Sequence, residues 1–524
     1  MTVIEYLDNV KKMIDDLKAM CANLGLANTG DEYKIISELF TYKFLNDKLL
    51  REFENRTDKD ETFDDYVEWV GIDLAMIPEK FLLNNLFERQ NEPDFHKLLD
   101  EAFITISEMN KDIYSIETES GKKKPLFEPL SAYLRDEDKE NQLAVRSINI
   151  LCEYDFDDIY DEGWDYFSSV FEYLISDYNK DSGKYAEYYT PAFAGRIMAE
   201  ILLGDEEVDK VSVYDPAAGS GTLLLSMANA IGVNNCTIYS QDISQKSSQF
   251  LRINLILNKL AHSLSNVIEG NTLTKPQHLD GDDLMHFDYI VSNPPFKMDF
   301  SSDIEDLKAD KYQRFFAGLP NIPKRKKTDM AIYQVFIQHI MASLNADGKA
   351  AFVVPTGFLT AKTGIPKAIR EAIVDNRWLK AVISMPSQIF ANTGTNVSIV
   401  FIDKTHEGQD TILVDASKLG ETIKTDDGQR TFLSKEEIEL IIDTAKNMSV
   451  IDDFSVVVSL DDIKAKSYSF SAGQYFEIKI EYVDITAEEF KEKMNGYKAS
   501  LAEKFQKGHD LEQDIMKQIG GMKL

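Results

Sequence analysis

A chain of 524 residues is too long for one ordinary domain and, at roughly 150 residues per domain, has room for about three. Hydrophobic residues make up 44% and charged residues 28%, enough for an ample core, and no apolar run nears the ~18 residues of a membrane span. Against 57 Lys and Arg stand 89 Asp and Glu, a formal charge of −32, which excludes a protein gripping DNA alone through a broad basic surface. A nucleic-acid role then needs local basic patches or a basic partner, although the same acidity would equally serve solubility. Residues 1–17 have an amphipathic helix pattern and lack the basic start and apolar centre of a signal peptide. Cys21, Cys152 and Cys236 lie far apart and form neither a disulfide framework nor a metal-ligand pattern, so a reducing, cytoplasmic compartment is expected.

The first block, residues 1–160, reads as helical. Ile36, Leu39, Phe40 and Lys43-Phe44 fall near one face at helical spacing. A charged connector runs from Asn55 to Glu61, and the basic segment Gly121-Lys122-Lys123-Lys124-Pro125 reads as a loop, either solvated or touching phosphate. The second block, residues 161–404, alternates helix and strand. Thr190-Pro191 suits an N-cap and first helical position, and that helix should stop at Gly204. Strands are expected at Val211–Tyr214, Thr237–Ser240 and Phe287–Ser292, with a helix from near Thr222. A further helix, Met330–Leu344, should end at Asp347-Gly348 before the strand Ala350–Val354, with late strands at Val382–Ser384 and Ser398–Ile402. Such alternation predicts an α/β fold, a mainly parallel sheet with helices on both faces. The third block, residues 405–524, ends in a long charged helix. Phe490, Met494, Tyr497, Leu501 and Phe505 form a one-sided apolar stripe, fit either for packing on its own domain or for seating another subunit's helix. Gly496 and Gly508 weaken that helix.

Three motifs carry chemistry. Asp215-Pro216-Ala217-Ala218-Gly219-Ser220-Gly221 lies between a strand and a helix, where glycines let backbone approach a ligand and the helix N-terminus offers free N–H groups. It is neither the dinucleotide fingerprint nor a phosphate loop, and its leading acid suits a ligand with an ammonium group. Asp242 closes the next strand, where α/β nucleotide folds place a carboxylate for the ribose hydroxyls, although an N-cap role, shared with Ser244, stays open. Asn293-Pro294-Pro295-Phe296 follows the third strand. Its prolines fix a rigid turn, its carboxamide and a neighbouring carbonyl can accept both hydrogens of an exocyclic amino group, and Phe296 offers a stacking face. A base read in this way has to leave the duplex.

The pair of motifs resembles the N6-adenine DNA methyltransferases that use S-adenosylmethionine. Glu187-Tyr188-Tyr189-Thr190-Pro191, the segment Asp31-Glu32-Tyr33-Lys34 with its following helix, and Met385-Pro386 with Phe390 are similar to the modification (M) subunits of type I restriction–modification systems. The resemblance implies a Rossmann-like S-adenosylmethionine-dependent methyltransferase fold between a helical N-terminal domain and a helical C-terminal tail. It assigns Glu187, Tyr188, Tyr189, Thr190, Pro191, Asp215, Ala217, Gly219, Ser220, Gly221 and Thr222 to the cofactor, chiefly its amino-acid end. Asp242 would hold the ribose and Asn271 the cofactor's adenine. Asn293, Pro294, Pro295 and Phe296 would hold the target adenine and act in catalysis. Two departures stand out: Ser240-Gln241-Asp242 where the family usually has Gly-Gln-Glu, and Gly270-Asn271-Thr272-Leu273 where it usually has Gly-Asp-Thr-Leu.

The expected reaction is methyl transfer from S-adenosylmethionine to adenine N6 in double-stranded DNA, with the adenine flipped out and no metal required. Expected partners are a DNA-specificity (S) subunit, a second copy of the chain and a restriction (R) subunit, with no membrane. Three alternatives remain at this point: a self-sufficient adenine methyltransferase, a methyltransferase for another planar amide or amine, and a catalytically silent assembly subunit. Lys324-Arg325-Lys326-Lys327 reads as a phosphate clamp beside the substrate or as a solvated loop.

Overall fold

The computed structural model describes residues 3–27, 30–71, 74–118, 120–154, 190–389, 396–406, 408, 410–425, 428–476 and 486–520. Two compact units divide the chain, Met1–Tyr475 and Phe476–Leu524. The first begins with helices α1 (Val3–Leu24), α2 (Gly30–Glu54), α3 (Phe95–Met109) and α4 (Glu137–Cys152). Helix α2 is buried on nearly every side from Tyr33 to Leu49, so the single apolar face expected there is instead a helix enclosed by its neighbours. Two short strands interrupt the helices, β1 (Ile116–Thr118) and β2 (Lys123–Lys124). The basic segment is thus half of a hairpin and not a loop. Lys123 pairs with Asp112, and Lys124 with Glu269.

Beyond residue 190 the α/β pattern sets in with α5 (Ala192–Leu203), β3 (Val211–Asp215), α6 (Thr222–Ile231) and β4 (Cys236–Asp242). It continues with α7 (Gln245–Leu257), β5 (Val267–Glu269), β6 (Phe287–Ser292), α8 (Ile304–Lys308) and α9 (Tyr333–Ala342). Strands β7 (Leu344–Pro355), β8 (Leu379–Ser384), β9 (Val397–Asp403) and β10 (Asp410–Asp415), helix α10 (Lys435–Lys446) and strand β11 (Ser455–Ser459) complete the main layer. These strands form one sheet of eleven, in the order β11-β10-β8-β9-β7-β6-β3-β4-β5-β1-β2. Six neighbouring pairs are parallel and four antiparallel, the mainly parallel sheet expected.

Two boundaries differ from expectation. Helix α9 starts three residues after Met330, whose extended backbone instead accepts a bond from Met298 N–H at 3.1 Å. Asp347-Gly348 does not separate helix from strand, because β7 already begins at Leu344. The register against β6 jumps from Phe287↔Leu344 to Tyr289↔Lys349, so the pair sits in a bulge. Gly348 is required there, since a Cβ would come within 2.8 Å of the Phe287 carbonyl oxygen.

The topology places the site. From β3 the sheet runs through β4 and β5 in one direction, and through β6 and β7 in the other. A crevice opens at such a reversal, outside the carboxyl ends of the strands. Asp215, Asp242 and Asn293 all stand at or just past those ends. Helices α5 and α6 press close beneath it: a Cβ on Gly195 would fall 2.2 Å from Ser226 Oγ. Among the described residues no helix is long and apolar enough to cross a membrane. The second unit contains α11 (Ala487–Gly520), unbroken through Gly496 and Gly508.

Candidate active site

At the end of β3 the Asp215 side chain is buried, and its Oδ1 accepts from Ala217 N–H at 2.9 Å and from Ser292 Oγ at 2.8 Å. Burial pushes the carboxyl up to about 7, against the pull of those two bonds. The chain then turns through Gly219 and Gly221, both at positive φ. Gly221 has φ +87 and a Cβ there would meet Leu251 Cδ1 at 2.2 Å, so only glycine fits. Helix α6 follows at once, with its first N–H groups at the crevice.

Asp242 serves the same turn from β4. Its Oδ2 accepts from Gly219 N–H at 2.9 Å and its Oδ1 from Ser244 N–H at 2.8 Å. The N-cap of α7 is Ser244, whose hydroxyl accepts from Ser247 N–H, so that open role falls to serine. Burial pushes the Asp242 carboxyl up, while the two amide bonds lower it. Each oxygen keeps a lone pair for a ligand hydroxyl.

Thr190 is where the structure departs most usefully from expectation. Helix α5 starts at Ala192 with Pro191 in the cap position and no side-chain cap bond. The Thr190 hydroxyl instead accepts from Asn293 Nδ2 at 3.0 Å, joining two motifs that lie far apart in sequence. Asn293 is thereby held through its amide nitrogen, and no bond from the described residues occupies its Oδ1.

A cavity of about 990 Å³ runs along these groups. Of the predicted residues, Thr190, Asp215, Ala217, Gly219, Ser220, Thr222, Asp242, Asn271, Asn293 and Pro295 line it. Pro191, Gly221, Pro294 and Phe296 are not among its lining residues. Phe296 stands beside it, edge-on to Tyr333 with ring centroids 6.3 Å apart. Glu187, Tyr188, Tyr189 and Phe390 lie outside the described residues. The wall also holds residues that local motifs do not reveal: Tyr33 from α2, Ile243, and Asp299, Phe300 and Asp303 from the segment after β6. A run of acids soon after Asn293 was a usable signal for Asp299 and Asp303. The segment Asp31-Glu32-Tyr33-Lys34 marks the N-terminal block in the sequence, but nothing in it places Tyr33 at the cavity.

Four aspartates line the cavity, and no Lys, Arg or His among the described residues joins them. Such a wall repels phosphates and suits a ligand with ammonium and sulfonium charges. The residues present therefore fit S-adenosylmethionine.

Fold and cavity together define a Rossmann-like, S-adenosylmethionine-dependent methyltransferase. The N-6 DNA Methylase model matches residues 162–482. The chain is 26% identical to the Type I restriction enzyme MpnII methylase subunit of Mycoplasma pneumoniae, covering 84% of each. It is also 26% identical to the HindI methylase subunit of Haemophilus influenzae, covering 81% of this chain and 92% of that one. Its fold is similar to a type I restriction-modification methyltransferase subunit from Streptococcus thermophilus, with a TM-score of 0.70 at 21% identity over 91% of this chain and 100% of that one. The chain belongs to the N-6 DNA methylase family.

Proposed function

We propose that the cavity holds S-adenosylmethionine and that Asn293 presents adenine N6 beside it, so that the chain is the catalytic modification subunit of a type I restriction–modification system. Methylation of adenine N6 in DNA is its reaction. The observation that carries the residue assignment is the Asn293–Thr190 bond at the edge of an acid-walled cavity.

The bound cofactor supplies an activated methyl group on a sulfonium. Asp242 accepts the ribose hydroxyls, while the turn from Gly219 to Thr222, with Asp215 behind it, receives the amino-acid end. By resemblance to the family's motif, Glu187, Tyr188, Tyr189 and Pro191 belong to the same cofactor-binding segment. Adenine N6 is a poor nucleophile because its lone pair is delocalised into the ring. Asn293 Oδ1 and the Pro294 carbonyl accept its two hydrogens, favour a pyramidal nitrogen and stabilise the positive charge that develops there. Thr190 fixes the amide so that oxygen, not nitrogen, meets the base. Phe296 supplies a stacking face, with Pro295 stiffening the turn. Holding base and donor together accounts for much of the remaining acceleration.

The adenine reaches this site by flipping out of duplex DNA. A specificity subunit selects the sequence, and a second copy of this chain and a restriction subunit complete the assembly, in the cytoplasm. Asn293→Ala should bind S-adenosylmethionine as the parent does in calorimetric titration, yet transfer no methyl group to DNA when assembled with its specificity subunit. Retained N6-methylation would overturn the role given to the amide.

A further inference from the structure

Asn271 occupies the place at the end of β5 where a cofactor adenine would be read, yet its carboxamide faces the wrong way for that task. Oδ1 already accepts from Leu273 N–H at 3.0 Å and Thr274 N–H at 3.3 Å, which uses both lone pairs. Its remaining group is Nδ2, a donor, and a donor cannot receive the hydrogens of an amino group. That Nδ2 donates to Asp303 Oδ2 at 3.2 Å. Asp303 lines the same cavity and keeps one lone pair on each oxygen, since Oδ1 takes only the Ser302 hydroxyl at 2.9 Å.

The mount of Asp303 is firm. Its N–H donates to Phe300 O at 3.0 Å, and its carbonyl accepts from Leu307 N–H at 2.9 Å. Phe300, Ile304 and Leu307 pack with Leu273 in one small apolar cluster, so the aspartate and the Asn271 turn are fixed to each other. Arg314 anchors the turn, donating to the carbonyls of Thr272 at 3.2 Å and Leu273 at 2.5 Å.

We propose that Asp303 is the residue that accepts the exocyclic amino group of the cofactor's adenine, with Asn271 as its positioning residue. The inference rests on the cavity holding S-adenosylmethionine. A carboxylate from the segment after β6 thus does the work that the asparagine at the end of β5 cannot, and it selects adenine over bases that present a carbonyl at that position.

The test is calorimetric titration of the full chain with two probes: S-adenosylhomocysteine, and its analogue with unsubstituted purine in place of adenine. Asp303→Ala should weaken S-adenosylhomocysteine about tenfold or more, as expected for a lost hydrogen bond to a charged group, and leave the purine analogue unchanged. Asn271→Ala should cause a smaller loss, again only for the amino-bearing probe. Should Asp303→Ala fail to fold, Asp303→Leu, of similar size and without an acceptor, makes the same comparison. Equal losses for both probes, or no loss for either, would overturn the proposal. Failure of the parent chain to bind either probe would overturn the cofactor reading itself, a separate and recognisable result.

Discussion

Asp215 and Asp242 each hold one amide of the turn between β3 and α6, but their tasks differ. Asp242 is partly open to the cavity with two lone pairs to offer, so Asp242→Ala should weaken S-adenosylmethionine by roughly 1.5–3 kcal/mol, the range for hydrogen bonds to a charged group. Equilibrium titration measures this, and unchanged affinity would remove Asp242 from the site. Asp215 is a buried acid whose pKa in the folded chain is raised to about 7 from 3.8. The folded state holds that proton more tightly than the unfolded one. The stability Asp215 contributes is therefore complete below its ordinary range and lost as pH climbs through about 7. Glu38, raised by burial to about 8, acts in the same direction. Asp215→Asn keeps the Oδ1 acceptor and removes the titration. Its melting temperature should match the parent's near the bottom of that window and exceed it increasingly up to about pH 7. A difference independent of pH would show that Asp215 is not the group responsible.

At the scale of elements, the strands that carry the site were legible because their signal is local. Val211–Asp215, Cys236–Asp242 and Phe287–Ser292 are short apolar runs, each ending in its motif. Thr190 was misread because a Thr-Pro pair looks the same whether its hydroxyl caps a helix or holds an asparagine across the site. The basic hairpin escapes the sequence because two-residue β2 has no periodicity, and its partner β1 is itself seated on β5, a distant strand. Arg314 lies beyond sequence reading for the same reason. It is buried with Asp310 at 2.8 Å, and its other donors hold the Thr272 and Leu273 carbonyls and meet His339 Nδ1. Burial and the adjacent guanidinium keep His339 well below its usual range, hence neutral, with Nδ1 free to accept. Arg314→Leu leaves Asp310 as a buried unpaired charge and should cost about 3–5 kcal/mol in urea denaturation. Adding Asp310→Asn should recover part of that loss. Full additivity of the two changes would contradict the pairing.

At the scale of the molecule, a formal charge of −32 and DNA as substrate pull against each other. The aspartate-lined cavity suits the cofactor and gives nothing to a phosphate backbone. Lys324, Arg325, Lys326 and Lys327 are exposed and lead into Met330, which is buried in the apolar cluster behind the cavity wall. A cluster so placed can grip phosphates once DNA is brought to it, but too few charges are gathered there to capture a duplex. The chain alone should therefore bind DNA weakly and without sequence preference in gel-shift assays across salt concentrations. Tight, specific binding by the chain alone would favour a self-sufficient enzyme. We propose helix α11 as the element that recruits the missing partner. Phe490, Tyr497, Leu501 and Phe505 are 56%, 64%, 54% and 75% exposed, a stripe of large apolar groups along one helix. Water contact over that area is unfavourable, and burial against a partner helix relieves it at about 25 cal/mol per Å². Deleting the segment from Ala487 onward should leave S-adenosylmethionine affinity unchanged while weakening assembly with the specificity subunit, read by co-purification and by methylation of cognate DNA. If assembly and methylation both survive the deletion, the stripe has no part in recruiting the partner, and docking must be sought on the helices of the N-terminal block.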